Sequence, residues 1–153
     1  MACDTSTASK ARVAIARAAS YEVPILERAV REVLEPFGGW DGLIRRGDRV
    51  LVKPNCISAV PPERPAQTHP AMILEVCRQL LDHGARPFVG DSPAWGSVTG
   101  ALHALGVLEG LERLGVPVVP FTRPVRAHNP RGQVFKQLTV DAAALDADAI
   151  VSL

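Results

Sequence analysis

Arg46-Gly47-Asp48-Arg49-Val50-Leu51-Val52-Lys53-Pro54-Asn55 decides the fold. Val50-Leu51-Val52 is a short continuous apolar run, the pattern of a strand buried on both faces of a parallel sheet. Gly47-Asp48 supplies turn chemistry ahead of it, and Pro54 stops it, because proline cannot donate to a central ladder. Arg46-Gly47-Asp48 also spells a cell-adhesion tripeptide. Gly-Asp before an apolar run is ordinary turn chemistry, and the turn is the reading adopted here.

Outward from this strand the chain alternates between strand and helix patterns. Upstream, residues 12–17 alternate apolar and polar and predict a first strand. Residues 22–37 predict a helix: Leu26, Ala29, Val30, Val33, Leu34 and Phe37 recur at three- and four-residue steps. Glu27 with Arg31, and Arg31 with Glu35, have the spacing of helical ion pairs, and Gly38-Gly39 ends the segment. Downstream, a proline-bearing loop over 56–67 leads to Thr68-His69-Pro70, where Thr68 or His69 is the N-cap and Pro70 sits in the first turn. Met72, Ile73, Val76, Cys77, Leu80 and Leu81 form the cleanest helical stripe, closed by Gly84. Pro87-Phe88-Val89 is a further short strand. Leucines 102, 105, 108, 111 and 114, interrupted by Gly100, Gly106 and Gly110, predict one broken helix or two short ones. Residues 116–119 read as an edge strand because of Pro117, 134–140 as a fifth strand, and 149–153 as a last one.

This order predicts an α/β fold, an open, mostly parallel sheet with helices on both faces. The last apolar strand has no helix after it and would leave a sheet face or edge uncovered. The expectation is therefore a short mobile tail over 1–10 and an α/β domain over 11–153 that is incomplete at its C-terminus. The missing surface would come from a larger domain or from a partner chain.

Composition narrows the function classes. The chain has 153 residues, 47% hydrophobic and 22% charged, with a formal net charge of +1. It offers no basic field for nucleic acid, and with 5% aromatics no stacking surface for RNA. No apolar run approaches the ~18 residues of a membrane span. Met1 to Lys10 lacks the apolar centre of a signal peptide. Cys3, Cys56 and Cys77 are odd in number and far apart, so neither a disulfide framework nor a self-contained zinc or iron–sulfur site is expected. Reduced thiols fit a cytoplasmic protein, and Cys77 falls on the apolar stripe as a core thiol.

Ligands of parallel α/β sheets bind outside the carboxyl ends of the strands. Lys53-Pro54-Asn55 and Gly90-Asp91-Ser92 fall at two such ends, and the helix opening at Thr68-His69-Pro70 would aim its N-terminus at the same rim. Lysine, amide and helix N-terminus together suit a small anion, a phosphate or carboxylate. Lys53 is one of three lysines against fourteen arginines, and its compact, tunable ammonium suits a site. The plainer reading is a solvated strand-end lysine. Asp91 is a candidate base or partner for Lys53, against an Asx-turn residue; His69 is a candidate acid–base group, against a helix cap, and the cap is favoured. Asn55, Thr68 and Ser92 are the candidate ligand-binding side chains. His83, at a helix end, complements the dipole. A metal site from Cys56, His69 and Asp91 is disfavoured, because no pair has a recognised ligand spacing.

The stretch from Gly47 to Asn55, then Thr68-His69-Pro70, Gly84-Ala85, Gly90-Asp91-Ser92-Pro93 and the closing Asp148-Ala149-Ile150-Val151-Ser152-Leu153 resemble domain-of-unknown-function family 362. Tyr21 and the helix over 22–37 fit the same pattern. The resemblance implies the N-terminal part of a family domain. Longer members continue with a Pro-Lys-x-Lys-x-His-like segment and a Lys-Asn stretch, and some carry ferredoxin-type cysteine clusters that bind four-iron clusters. This chain has neither. The expectation is the anion- or substrate-binding part of a cytoplasmic, redox-linked enzyme, in which Lys53 and Asn55 hold the anion, Thr68 opens the donor helix, and Asp91 or His69 moves protons. The alternative is a non-catalytic docking or electron-transfer scaffold completed by a partner chain.

Overall fold

The computed structural model describes residues 11–61 and 66–153. The expected tail over 1–10, with Cys3, and the middle of the proline-bearing loop lie outside the described residues. The chain forms a three-stranded parallel sheet flanked by helices, with a small antiparallel sheet beside it. β1 (Arg49–Lys53) is the middle strand, between β2 (Arg86–Val89) and β5 (Ala149–Ser152). The register pairs Leu51 with Phe88 and Ile150, and Lys53 with Ser152.

β1 is buried on both faces, as its apolar run demands. Val50 and Val52 point into the main core, which they share with Val89 and with residues of the four longer helices or packed beside them. These are α1 (Val23–Leu34), α2 (Pro70–His83), α3 (Val98–Ala104) and α4 (Leu108–Leu114). Leu51 points the other way, into a smaller cluster with Phe88 and with Ala143 of α5 (Ala142–Leu145). Helices thus lie on both faces, but unequally.

Local chemistry places the helices where the spacing predicts them. Pro24 stands in the first turn of α1, and Arg31 pairs with Glu27 at 2.6 Å. Arg31 makes no pair with Glu35, because there the helix tightens into a 3-10 turn over Glu35–Phe37 before Gly38 turns at φ +87°. His69 caps α2, its Nδ1 accepting from the Ala71 amide at 3.2 Å, and Gly84 closes that helix at φ +90°. The leucine-rich segment forms two short helices separated at Gly106. Buried Glu75 accepts from Arg78 and Gln79, and Gln79 accepts from the Trp40 indole, so the polar groups between α1 and α2 are satisfied.

Three strand expectations need correction. Residues 12–17 form no ladder among the described residues. Their alternation is real, but the inward positions are Ala14 and Ala16, too small to anchor a strand, while Val13 is 81% and Ile15 88% exposed. The segment is held instead at Arg12, whose Nη1 donates to the Pro36 carbonyl and whose guanidinium lies over Phe37. Residues 116–119 make one parallel bridge, Val118 to Val89, rather than a strand, since Pro117 and Pro120 remove two ladder amides. The strand expected over 134–140 is β4 (Gln137–Asp141), and its antiparallel partner β3 (Pro124–His128) was not foreseen.

Gly90, just past β2, has no room for a side chain. A Cβ there would stand 2.7 Å from Phe121 Cε1, 3.0 Å from the Val119 carbonyl and 3.2 Å from Leu51 Cδ1. Gly90→Ala is expected to destabilise the fold by about 1–3 kcal/mol, the usual overpacking range. Urea unfolding would check this; an unchanged midpoint would show that Phe121 swings away freely.

Candidate functional site

The sheet connections define where a crevice can open. The chain leaves β1 and reaches β2 through α2 on the Val50–Val52 face, and it enters β5 through α5 on the Leu51 face. On that second face the carboxyl ends of β1 and β5 and the β3–β4 hairpin surround a cavity of about 470 Å³. Leu51, Lys53 and Ile150 form its sheet wall, Phe121 and Thr122 one side, and Thr139 and Asp141 the hairpin side, with Ser92 at the rim.

Lys53 is the cation of this crevice. Its Nζ lies 2.8 Å from Asp91 Oδ1, with the lysine side chain 42% exposed and the aspartate 5%. Asp91 Oδ2 accepts from the Cys56 amide at 2.8 Å, so both carboxylate oxygens are held. The buried carboxylate sits behind the ammonium and fixes its position, and an ammonium has two further N–H donors to offer. Asp91 therefore serves as a partner of Lys53 and as a loop-fixing acceptor at once.

Asn55, Thr68 and His69 lie apart from this cavity. Thr68 Oγ1 accepts from the Asn55 amide at 2.9 Å and donates to the Leu153 carbonyl at 3.2 Å, and the Thr68 amide donates back to Asn55. Asn55 Nδ2 donates to the Ala66 carbonyl. Asn55 and Thr68 thus tie together the end of β1, the start of α2 and the end of β5. His69 caps α2 through Nδ1, and its ring stacks on Tyr21 at 3.6 Å between centroids. Of the six candidates, Lys53 and Ser92 line the cavity and Asp91 stands directly behind Lys53. Asn55, Thr68 and His69 are absent from its lining.

Sequence reasoning missed the hairpin wall and Phe121. One signal was available: Asp141 precedes the apolar run Ala142-Ala143-Ala144-Leu145, the pattern of an N-cap. Asp141 Oδ1 does accept from Ala143, while Oδ2 accepts from the Arg123 amide and locks the hairpin to α5.

A four-iron cluster asks for four thiolates. This chain has three cysteines, and the two described ones, Cys56 and Cys77, are buried on separate elements. Burial, helped by the neighbouring Asp91 charge and opposed by Lys53, pushes the Cys56 thiol up to about 11; burial alone pushes Cys77 up to about 12. Both are core thiols, and these residues do not fit such a cluster. Among the described residues no three His, Cys, Asp or Glu side chains gather into a metal-ligand group.

The sequence profile described as "Domain of unknown function (DUF362)" matches residues 50–153. The chain belongs to the DUF362 family. A curated relative, the thylakoid-associated protein sll1697 of Synechocystis sp., is 36% identical over 141 residues, which are 92% of this chain and 43% of the relative. The DUF362 chain thus spans less than half of that relative's length. No solved structure matches it significantly. The match begins at β1 and runs through the crevice to β5, so it covers Lys53, Asp91 and Ser92 together. Among the described residues no helix is long and apolar enough to cross a membrane.

The two raised thiols give a pH dependence. Their folded pKa values lie above the ordinary 9.0, so their contribution to stability is complete below about pH 9 and is lost as pH climbs towards 11–12. The melting temperature is expected to fall from pH 9 to 11, and less steeply in a Cys56→Ala/Cys77→Ala variant. Equal slopes by scanning calorimetry would mean that other groups drive the loss.

Proposed function

We propose that the crevice at the carboxyl ends of β1 and β5 binds a small anionic molecule, a carboxylate or phosphate, with Lys53 as its cation. One observation carries this reading: a half-exposed ammonium at the cavity wall, fixed from behind by a buried carboxylate. The rest of the lining fits a ligand site, mostly apolar with a few polar groups, among them Ser92, Thr122 and Thr139. Asp141 also borders the cavity, but its two oxygens are taken up by backbone amides. Asn55 and Thr68 support the site by fixing the strand ends rather than by touching the ligand.

The enzyme reading follows from the same pair. Lys53 is the group at the cavity wall and Asp91, 2.8 Å from its Nζ, holds it there, whereas His69 is absent from the lining. His69, engaged as cap and stacked on Tyr21, is a positioning residue for α2. Supporting this placement, strand ends at which connections diverge are where open α/β sheets bind ligands.

The docking alternative rests on a different observation. Among the described residues β5 has one strand neighbour, Val13 and Ile15 stand exposed, and a groove is lined by Ala16, Val30, Trp40, Met72 and Val151. Light scattering separates the two readings. A monomer that binds phosphate favours the crevice; a self-associating chain made monomeric by Val13→Asp/Ile15→Asp favours docking.

For the crevice, Lys53→Met is expected to remove the shifts that phosphate or succinate induces in the amide resonances of Ser92 and residues 139–141. Undiminished shifts in that variant would overturn the reading. Lys53→Met also strands a buried carboxylate. It should lower stability by about 1–3 kcal/mol, less than the about 3–5 kcal/mol for breaking a wholly buried pair, because Lys53 is partly in water. Adding Asp91→Asn should recover most of that loss in urea unfolding.

A further inference from the structure

We propose that Arg49 and Arg86 form a second oxyanion site at the amino ends of β1 and β2, distinct from the Lys53 crevice. The parallel register pairs Arg49 directly with Arg86, so the two guanidinium-bearing chains leave the same face of the sheet side by side. Like charges opposite each other in a sheet are destabilising unless something neutral or negative separates them. Among the described residues no carboxylate bonds either guanidinium.

The nearby acids each have one oxygen engaged with another group, and none is bonded to either guanidinium. Asp48 accepts from the Arg45 amide, Asp148 from the Arg49 backbone amide, and Asp146 pairs with Arg123. Capping of helix ends does not account for the arginines either. α2 and α4 both end beside this pocket, where the Leu80 and Leu81 carbonyls of α2 accept from the amides of Ala85 and Gly84, and the Leu111 and Glu112 carbonyls of α4 from those of Val116 and Gly115; the arginines donate to the carbonyls of Gly47 and Asp146 instead.

Each guanidinium is instead anchored along one edge and left with free donors on the other. Arg86 Nε donates to the Gly47 carbonyl at 2.7 Å, leaving both terminal nitrogens without an acceptor among the described residues. Arg49 Nη1 donates to the Asp146 carbonyl at 3.3 Å, and its plane stacks on the Phe88 ring at 4.2 Å, leaving Nε and Nη2. Stacking and anchoring pre-organise two forks, the geometry that holds a phosphate or carboxylate through paired N–H donors. Both arginines border one cavity of about 330 Å³, otherwise lined mainly by Leu81, Pro87, Phe88, Pro117 and Val119. An oxyanion joined to a small apolar body matches that lining: the head meets the two forks and the body meets the leucine, valine and prolines. Among the described residues no carboxylate lines the cavity.

The test uses the 153-residue chain, ¹⁵N-labelled and carrying Lys53→Met so that the crevice does not contribute. Phenyl phosphate is titrated while the resonances of Arg86 Nε, Phe88 and Gly115 are followed. Saturable shifts at these positions are expected, with inorganic phosphate binding more weakly because it lacks the apolar body. Arg86→Gln should weaken phenyl phosphate binding by about tenfold or more, as expected when a charge-assisted donor pair is lost. Arg86→Lys should recover only part of it, since an ammonium keeps the charge without the fork. Absent shifts, or an Arg86→Gln variant that binds as tightly as its parent, would overturn the site. The same titration with Lys53 intact, read at Arg86, Phe88 and Gly115 alone, gives the same decision if Lys53→Met does not fold. Failure at these resonances leaves the Ser92 and hairpin resonances, and hence the crevice, to be judged separately.

Discussion

Burial of β1 between two parallel neighbours is the constraint from which the other features follow. A strand has a side-chain period of two, so a one-residue slip would exchange Val50 and Val52 with Leu51 and turn both cores inside out. Full burial of each such side chain is worth about 1.5–3 kcal/mol. The register with β2 and β5 is therefore strongly specified. That register sets Lys53 opposite Ser152 at one end of the strand and Arg49 opposite Arg86 at the other. The Lys53 ammonium and the Arg49 guanidinium occupy the same sheet face because they are four residues apart, with Leu51 between them.

The two faces are covered unequally. Four helices cover the valine face and build the larger core. The leucine face has α5, Phe121 and the hairpin, and its core is a small cluster around Leu51 and Phe88. The lysine crevice opens on that face, where there is space next to a charged strand end, while the arginine-lined cavity opens at the amino ends of β1 and β2, beside the ends of α2 and α4. The closely packed helical side is where the thiols of Cys56 and Cys77 are kept out of water.

Loops around the crevice are fixed by side chains that bond backbone groups. Asp91 holds the Cys56 amide, Thr68 joins Asn55 to Leu153, and Asp141 joins the hairpin to α5. Each of these polar groups satisfies main-chain donors or acceptors that would otherwise be stranded at strand and helix ends. Of the two charged side chains that line the crevice, Asp141 has both oxygens taken up by backbone amides and Lys53 is the cation. Membership of the DUF362 family, with a match that begins at β1, places this framed crevice inside the part of the chain that the family shares.

Patterns with a local cause were legible in the sequence. The buried strand at Val50-Leu51-Val52, helix α2 with its cap and Gly84 terminus, the break at Gly106 and the core thiol Cys77 all follow from periodicity, proline and glycine chemistry that act within a few residues. Lys53, Asp91 and Ser92 could be named from strand-end position alone. Their grouping could not, because it depends on which strands become neighbours. The same holds for 12–17, whose alternation looks like a strand until the absence of a ladder partner leaves Val13 and Ile15 in water. β3 was invisible because its residues, Pro124-Val125-Arg126-Ala127-His128, carry little apolar mass and are strand only through pairing with β4. Asn55 and Thr68, named as candidate ligand groups, tie backbone segments together, and hydrogen-bond partners eighty-five residues apart, as for Thr68 and Leu153, leave no trace in sequence. The sequence by itself determined the elements and the chemistry of their ends. Tertiary structure alone decided which ends meet, because strand pairing and the unequal cover of the two faces are long-range consequences of burying β1.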